Sequence, residues 1–183
     1  MLQELEQIKK DHPGCAKVRI NEEEQVECIF IQTKFMRYWY LKYCDVHHTD
    51  TTFQTNLENF LLHISLVVDS LGHGLPTAYA FMKSSSAENL EFFYQYLTGK
   101  TVVDDEVIIV DQELAAATPV VNIIDKDLTN IQLLKKYYPR TKILLCTFHV
   151  IKWFKTLINN KEILDGAKQA EKNRLLELLR LMV

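Results

Sequence analysis

Residues 46–82 have the sequence VHHTDTTFQTNLENFLLHISLVVDSLGHGLPTAYAFM and carry the clearest topological signal in the chain. Apolar and β-branched runs predict three strands over Val46–Phe53, Leu61–Val68 and Pro76–Met82. The connection between the last two contains Gly72 and other turn-forming residues, which favours a hairpin. We therefore predict an antiparallel meander of three strands.

The chain downstream of the meander alternates between helical and strand patterns. Helices are predicted at Ala87–Leu97, where Ser86 can cap the first turn, at Leu128–Tyr138 and at Val150–Leu157, and strands at Val107–Val110, Val120–Ile124 and Lys142–Cys146. A meander, a crossover helix and then alternating strands and helices resemble the RNase H-like fold. We expect an α/β domain with a mixed five-stranded sheet, in which the meander is joined by two parallel strands and flanked by helices.

The flanking segments divide the chain into three predicted parts. Residues 1–42 are expected to form an N-terminal extension, with a helix over residues 1–10, a hairpin of strands Ala16–Ile20 and Val26–Ile31, and a helix over Thr33–Lys42. Residues 43–160 are expected to form the RNase H-like domain. Residues 161–183 contain a Leu-rich helix, Ile163–Met182, which is a candidate surface for a protein partner and the expected start of a truncated helical insertion. Residues 98–119 are predicted to be extra sequence within the domain.

Composition narrows the class of protein. The chain has 183 residues, 48% of them hydrophobic, which is enough for one domain with a buried core. No apolar run approaches the ~20 residues of a membrane span, so we expect no membrane association. The four cysteines form no CxxC pair, which favours reduced thiols inside the cell.

Charge is distributed unevenly along the chain. Residues 1–134 contain 10 Lys/Arg and 20 Asp/Glu, whereas residues 135–183 contain 11 and 4. The basic C-terminal part predicts DNA binding through phosphate contacts by Lys135, Lys136, Lys152 and Lys155. The alternative is a solvated helical face rich in lysine.

Asp50 is an unusual residue for its position. It lies inside the first strand of the meander, between β-branched neighbours, although aspartate is depleted in strands and costly to bury unpaired. The two interpretations are a functional carboxylate and an edge position that faces water.

A second carboxylate at the end of the parallel strand would lie beside Asp50. Asp125 and Asp111 each follow a β-branched run, and Asp125 is preferred because a helix and another strand follow it directly. Two such carboxylates can hold Mg²⁺, which prefers oxygen ligands, and can support phosphoryl-transfer chemistry. Asp127 is expected to cap the following helix.

Cys146 and His149 form a C-x-x-H motif at the predicted end of a strand. It supplies two of the four ligands of a structural zinc site, so zinc is not expected in this chain on the motif alone. The alternative is a buried thiol at a strand end and a histidine at a helix start.

Three sequence segments together resemble the RNase H-like domain of the SWIM zinc-finger domain-containing proteins 1 and 3. They are HTDTTFQTN, VVDSLGHGLPTAYAFMKSSSAENLEFFYQYL and IIDKDLTNIQLLKKYYPRTKILLCTFHVIKWF, and they cover residues 43–158 approximately. That domain is similar to the transposases of Mutator-like elements. The resemblance implies that Asp50 and Asp125 are the first two catalytic carboxylates, with Mg²⁺ as the ancestral cofactor, and that Cys146 and His149 are the family's C-x-x-H motif.

The sequence departs from the family pattern in its C-terminal part. The family's third acid is a glutamate on a later helix, and Glu162, Glu171 and Glu177 match no motif for it. The SWIM finger is also absent. The missing third acid raises the expectation that the chain is a fragment of a longer protein, and the sequence alone leaves this open. The resemblance therefore implies a nuclear, transposase-derived domain that does not cleave DNA by itself and serves in DNA binding or protein interaction. The alternative is an active Mg²⁺-dependent nuclease or strand-transfer enzyme of the DDE type.

Overall fold

The structure is a computed structural model and describes most of the chain. The described residues are Gln7, Lys10, 15–52, 58–103, 106–109, 111–125, 127–159 and 169–182. Of the predicted N-terminal helix over residues 1–10, only Gln7 and Lys10 are described, and both are helical.

The strands form one large sheet and one small ribbon. The strands are β1 Ala16–Ile20, β2 Val26–Ile31, β3 Val46–Thr52, β4 Leu61–Val68, β5 Gly74–Met82, β6 Lys100–Val103, β7 Glu106–Ile109, β8 Val121–Ile124 and β9 Lys142–Leu145. Seven of them form a sheet in the order β1-β2-β5-β4-β3-β8-β9, and β6 and β7 pair separately.

Helices connect and cover these strands. The described helices are α1 Lys34–Tyr43, α2 Ala87–Thr98, α3 Gln112–Ala116, α4 Leu128–Tyr137, α5 Thr147–Asn159 and α6 Gln169–Met182. Within the described ranges, no helix is both long and apolar enough to cross a membrane. The predicted tail helix is present as α6, and residues 163–168 of that prediction lie outside the described ranges.

The centre of the sheet has the predicted topology. Strands β3, β4 and β5 pair antiparallel as a meander, whereas β8 lies parallel beside β3 and β9 lies parallel beside β8. The helix α2 belongs to the crossover that a parallel pair requires. The mixed α/β class is therefore confirmed.

The predicted number of five strands is wrong, because the N-terminal hairpin extends the same sheet to seven. Strand β2 pairs antiparallel with β5, from Cys28 opposite Met82 to Ile31 opposite Tyr79. Burial explains this attachment, since the consecutive residues Ile29 and Phe30 are both almost fully buried. A strand with both faces covered is typical of a position inside a sheet. The division of the chain into three parts stays a prediction.

One face of the sheet is covered by α1, α2 and α4. His47 on β3 is fully buried there, with its ring 6.0 Å from the ring of Tyr40 and 6.2 Å from that of Tyr138. Side chains alternate along a strand, so Asp50 projects from the opposite face to His47 and Thr49. The helices α1, α2 and α4 therefore lie on the face opposite to Asp50, and the Asp50 face can carry a binding site.

A chain of hydrogen bonds crosses the buried face at right angles to the strands. His47 Nδ1 pairs with Asn122 Oδ1 at 2.5 Å on β8, and His47 Nε2 pairs with Ser65 Oγ at 2.7 Å on β4. Ser65 Oγ in turn lies 2.5 Å from Thr77 Oγ1 on β5. Because buried polar groups generally require a hydrogen-bond partner, this series of hydrogen bonds favours one register between β3 and its neighbouring strands.

The described residues between 98 and 119 include a separate two-stranded ribbon and a short helix. The strand predicted at Val107–Val110 exists as β7, but it pairs with β6 and not with β3. Asp111 therefore follows a strand of the ribbon and begins the short helix α3.

Candidate metal centre

Asp50 projects from the middle of β3, on the open face of the sheet. Its side chain is 49% exposed. One carboxylate oxygen, Oδ1, is buried and has no hydrogen-bond partner within the described structure. A buried, unpaired carboxylate oxygen in a folded protein calls for a ligand or another explanation.

Asp125 follows β8 and lies beside Asp50 through the parallel register. His48 of β3 pairs with Ile123 of β8, so continuing the same register by two residues pairs Asp50 with Asp125. Partial burial raises the pKa of Asp125 above its ordinary value, and the negative charges of Asp127 and Asp50 raise it further, against the opposing effect of His149. The carboxylate therefore lies where a positive ion would relieve an unfavourable charge.

His149 completes the cluster from the first turn of α5. That helix begins at Thr147, shortly after β9 ends at Leu145, and β9 is the parallel neighbour of β8. His149 Nε2 lies 3.7 Å from Asp50 Oδ1, and its side chain is 26% exposed. One donor atom each from Asp50, Asp125 and His149 all lie within 4.8 Å of one another.

The cluster fits one divalent ion. Ligand atoms at about 2.1 Å from a common ion lie ~3.0 Å apart when adjacent and ~4.2 Å apart when opposite. The 3.7 Å between Asp50 and His149 falls inside this interval, and it is too long for a hydrogen bond. Small side-chain rotations would bring all three atoms to coordination distance from the present limit of 4.8 Å.

Asp111 is placed in a structural role away from this cluster. Its carboxylate accepts two hydrogen bonds from Arg37, at 2.8 and 3.0 Å, and a third from Leu114 N at the start of α3. Hydrogen bonding to Arg37 is the main cause that lowers the pKa of Asp111. The fold thus brings Asp125, and not Asp111, to Asp50.

Asp127 caps α4, as the sequence indicates. Its Oδ1 accepts hydrogen bonds from Thr129 N at 2.9 Å and Asn130 N at 3.2 Å.

Cys146 lies close to the site in sequence but does not join it. Its backbone N–H donates to Ile124 O at 2.6 Å, which continues the β8–β9 pairing, and its thiol is partly buried. Among the residues that the structure describes, no group of three or more potential metal ligands contains Cys146. The two residues of the C-x-x-H motif therefore have different surroundings, and only His149 meets the aspartates.

The candidate third acids are also apart from the cluster. Glu171 and Glu177 lie on α6 and are exposed, and neither belongs to a metal-ligand group within the described ranges. Glu162 lies outside those ranges.

The four lysines predicted to bind DNA lie on two different helices. Lys135 and Lys136 end α4, which packs on the buried face of the sheet, and Lys136 forms an ion pair of 2.7 Å with Glu91 of α2. Lys152 and Lys155 are exposed on α5, the helix that carries His149. Lys152 is one helical turn from His149 and so extends from the same side of the helix.

A comparison with protein-family models identifies the family of the chain. The model described as the RNase H-like domain of zinc finger SWIM domain-containing proteins 1 and 3 matches residues 6–144. The chain belongs to this family. No curated protein matches the chain.

The matched range shows which elements and site residues of this SWIM-family RNase H-like domain the family model includes. The matched range begins before the hairpin β1–β2 and includes residues 98–119, so both lie within the span of the family domain. It contains Asp50 and Asp125 and ends before Cys146 and His149. The resemblance in the sequence places the start of the domain near residue 43, whereas the family match begins earlier.

Sequence reasoning identifies all three cluster residues but does not join His149 to the aspartates. The available signal is positional, because the C-x-x-H motif follows the strand next to Asp125. A residue just beyond one parallel strand lies near the residue just beyond its neighbour.

Proposed function

We propose that this chain is a transposase-derived RNase H-like domain that binds the backbone of DNA at a divalent-metal centre and does not cleave it alone. The observation that carries the proposal is the cluster of Asp50, Asp125 and His149, whose donor atoms lie within 4.8 Å of one another. Mg²⁺ is the ancestral ion in this proposal, and descent from transposases of Mutator-like elements explains the position of the two aspartates.

Different residues would bind the metal ion and the DNA phosphate at such a site. Asp50 and Asp125 supply oxygen ligands from two adjacent strands, so the backbone of the sheet fixes their separation. An ion bound there would offer positive charge to a phosphate oxygen. Lys152, exposed on α5, supplies a further cation on the His149 side of the site.

Cleavage requires more than the described residues provide. Phosphoryl transfer by paired ions uses two metals about 3.5–4 Å apart, which together stabilise the attacking and leaving oxygens. The described cluster contains two carboxylates and one imidazole, a donor set suited to one ion. Binding without cleavage is therefore the function that these residues support.

The adjacency of Asp50 and Asp125 also supports the alternative, an active DDE-type nuclease in which a further glutamate completes the site. A protein partner that binds the Leu-rich helix α6 is compatible with either function. We also propose a nuclear location, which the family resemblance implies. Fractionation of cells expressing a tagged chain tests it.

The experiment combines calorimetry with a DNA assay. Titration of the protein with Mn²⁺ or Mg²⁺ should show binding that is lost in Asp50→Asn and in Asp125→Asn. Asp111→Asn is the matched control, because it removes an aspartate that pairs with Arg37, and it should retain the metal affinity. Equal metal binding by wild type and Asp50→Asn would overturn the proposal.

The DNA assay distinguishes the two functions. Fluorescence anisotropy with a labelled duplex should show binding that is strengthened by the metal ion and weakened in Asp50→Asn. A supercoiled plasmid incubated with the protein and Mg²⁺ or Mn²⁺ should remain intact. Nicking that disappears in Asp50→Asn would instead establish the active nuclease.

A further inference from the structure

The imidazole of His149 distinguishes the cluster from a metal site built of oxygen ligands alone. His149 is held by α5 and faces Asp50 through Nε2 at 3.7 Å. Its other ring nitrogen, Nδ1, is buried and has no hydrogen-bond partner within the described structure. Within the described residues no hydrogen bond to Nδ1 fixes the ring, and a metal-binding histidine usually has such a partner as well. The assignment of His149 therefore depends on the position of Nε2 beside the aspartates.

The distances also argue against a simple ion pair between His149 and Asp50. An imidazolium bound to a carboxylate normally approaches to hydrogen-bonding distance, about 2.7–2.9 Å. The observed 3.7 Å leaves the buried oxygen Asp50 Oδ1 unpaired although a ring nitrogen faces it. This spacing lies between the ~3.0 Å of adjacent ligands and the ~4.2 Å of opposite ligands on one ion, so small side-chain rotations would let both atoms bind a common ion.

We propose that His149 is the third protein ligand of the metal centre, and that the centre therefore binds Mn²⁺ more tightly than Mg²⁺. This inference rests on the proposed function, because it takes Asp50 and Asp125 as the other two ligands. Mg²⁺ strongly prefers oxygen ligands and keeps most of its water. First-row transition ions accept imidazole nitrogen more readily, so replacing an oxygen ligand by imidazole shifts selectivity towards them.

This assignment explains the spacing of the two residues in the C-x-x-H motif. Cys146 ends the β8–β9 pairing through its backbone, and three residues later the first turn of α5 presents His149 to the aspartates. The motif then acts by placing an imidazole beside the strand ends, and the thiol is not a ligand in this arrangement.

The experiment follows Mn²⁺ by electron paramagnetic resonance. The signal of free Mn²⁺ during titration gives the affinity, and electron spin echo modulation detects a nitrogen nucleus bonded to the ion. Wild type should show nitrogen modulation and a higher affinity for Mn²⁺ than for Mg²⁺, measured by competition. His149→Gln should lose the modulation and bind Mn²⁺ at least about tenfold more weakly, the size that loss of even an outer partner produces.

Two controls separate the failure of this inference from failure of the proposed function. His73→Gln removes an exposed imidazole on the β4–β5 turn and should leave both the modulation and the affinity unchanged. Asp50→Asn should lose binding of both ions. If Asp50→Asn loses binding while His149→Gln keeps the wild-type affinity and spectrum, the assignment of His149 is wrong and the aspartate site stands. If Asp50→Asn keeps wild-type binding, both are wrong.

Discussion

The carboxylate of Asp125 is held at a position that disfavours its charge. Partial burial and the nearby charges of Asp127 and Asp50 raise its pKa, which means that the folded protein holds the proton more readily than the unfolded chain does. At neutral pH the ionised group therefore costs stability, and this cost disappears as pH falls below the folded-state pKa. The site maintains a repulsive arrangement that a bound cation would stabilise.

We predict that Asp125→Asn stabilises the metal-free protein while it abolishes metal binding. Because the carboxylate is partly exposed and screened, the gain should be no more than about 1 kcal/mol at pH 7. Thermal unfolding in the presence of a chelator measures it, with Asp45→Asn as an exposed control that should leave the melting temperature unchanged. A lower melting temperature for Asp125→Asn would contradict the interpretation of its raised pKa.

Two buried histidines should make the fold sensitive to acid. Burial lowers the pKa of His47 to about 4 and that of His63 to about 3, whereas an unfolded histidine titrates near 6.5. Below pH 6.5 the unfolded chain binds protons that the folded chain does not, so stability falls as pH falls. Each histidine contributes about 1.4 kcal/mol per pH unit until its own folded pKa is reached.

We predict that His63→Phe reduces this acid sensitivity. The ring of His63 lies 4.6 Å from that of Phe93, and its Nε2 is buried without a hydrogen-bond partner within the described structure, so phenylalanine keeps the aromatic packing. It loses the 2.8 Å hydrogen bond between His63 Nδ1 and Thr51 Oγ1, which lowers stability equally at both pH values. Urea unfolding of both proteins at pH 7 and pH 5 should show a slope about 1.4 kcal/mol per pH unit smaller in the variant. The same pH dependence in both proteins would show that His63 is not neutral and buried in the folded state.

Single residues of the site differ in how far sequence predicts them. Asp50 is recognisable because an aspartate between β-branched residues conflicts with its strand, and Asp125 because it ends the strand that must lie parallel beside β3. The contact of His149 with Asp50 depends on the rotation of α5 relative to the sheet. Sequence spacing within the C-x-x-H motif carries no information about a distance between two elements.

At the scale of elements, α2 ends where the small ribbon and α3 approach it. Gly99 ends this helix with φ +62°, and a Cβ there would lie 2.6 Å from Asp111 Cβ and 2.7 Å from Asp111 O. Its carbonyl oxygen also accepts a hydrogen bond from Asp111 N at 3.0 Å. The end of α2 therefore packs directly against the start of α3.

We predict that Gly99→Ala destabilises the protein by about 2–4 kcal/mol, from a left-handed backbone and from overpacking against backbone atoms. Gly72→Ala is the matched control, because Gly72 has φ +85° but no atom lies within 4 Å of the place that an alanine methyl group would take. Only the conformational cost of about 1 kcal/mol therefore applies to the control. Urea denaturation measures both variants. Equal losses would mean that α2 and α3 separate easily.

The sequence predicts the elements more reliably than their pairing. A run of apolar and β-branched residues predicts the strand β4, and its predicted limits, Leu61–Val68, are those observed. The hairpin β1–β2 is also recognisable in the sequence, but its attachment to β5 is not. Attachment depends on which sheet edge remains open, and this is a property of the assembled fold.

At the scale of the whole molecule, the acidic and basic halves of the sequence do not form two simple surfaces. Lys135 and Lys136 lie on α4, over the buried face of the sheet, and Glu91 neutralises part of their charge. Lys152 and Lys155 lie on α5, which begins at the edge where Asp50 and Asp125 meet. Of these four lysines, the pair on α5 is therefore the one placed for the proposed DNA binding.

We predict that neutralising Lys152 and Lys155 together weakens DNA binding, whereas neutralising Lys135 and Lys136 does not. Each lysine that contacts a phosphate releases about one counterion, so the slope of log affinity against log salt should fall by about 2 in Lys152→Gln/Lys155→Gln. The Lys135→Gln/Lys136→Gln variant changes the net charge equally and controls for long-range attraction. Anisotropy titrations with a duplex at several salt concentrations measure both, and equal slopes for the two double variants would show that DNA does not bind at the metal-centre edge.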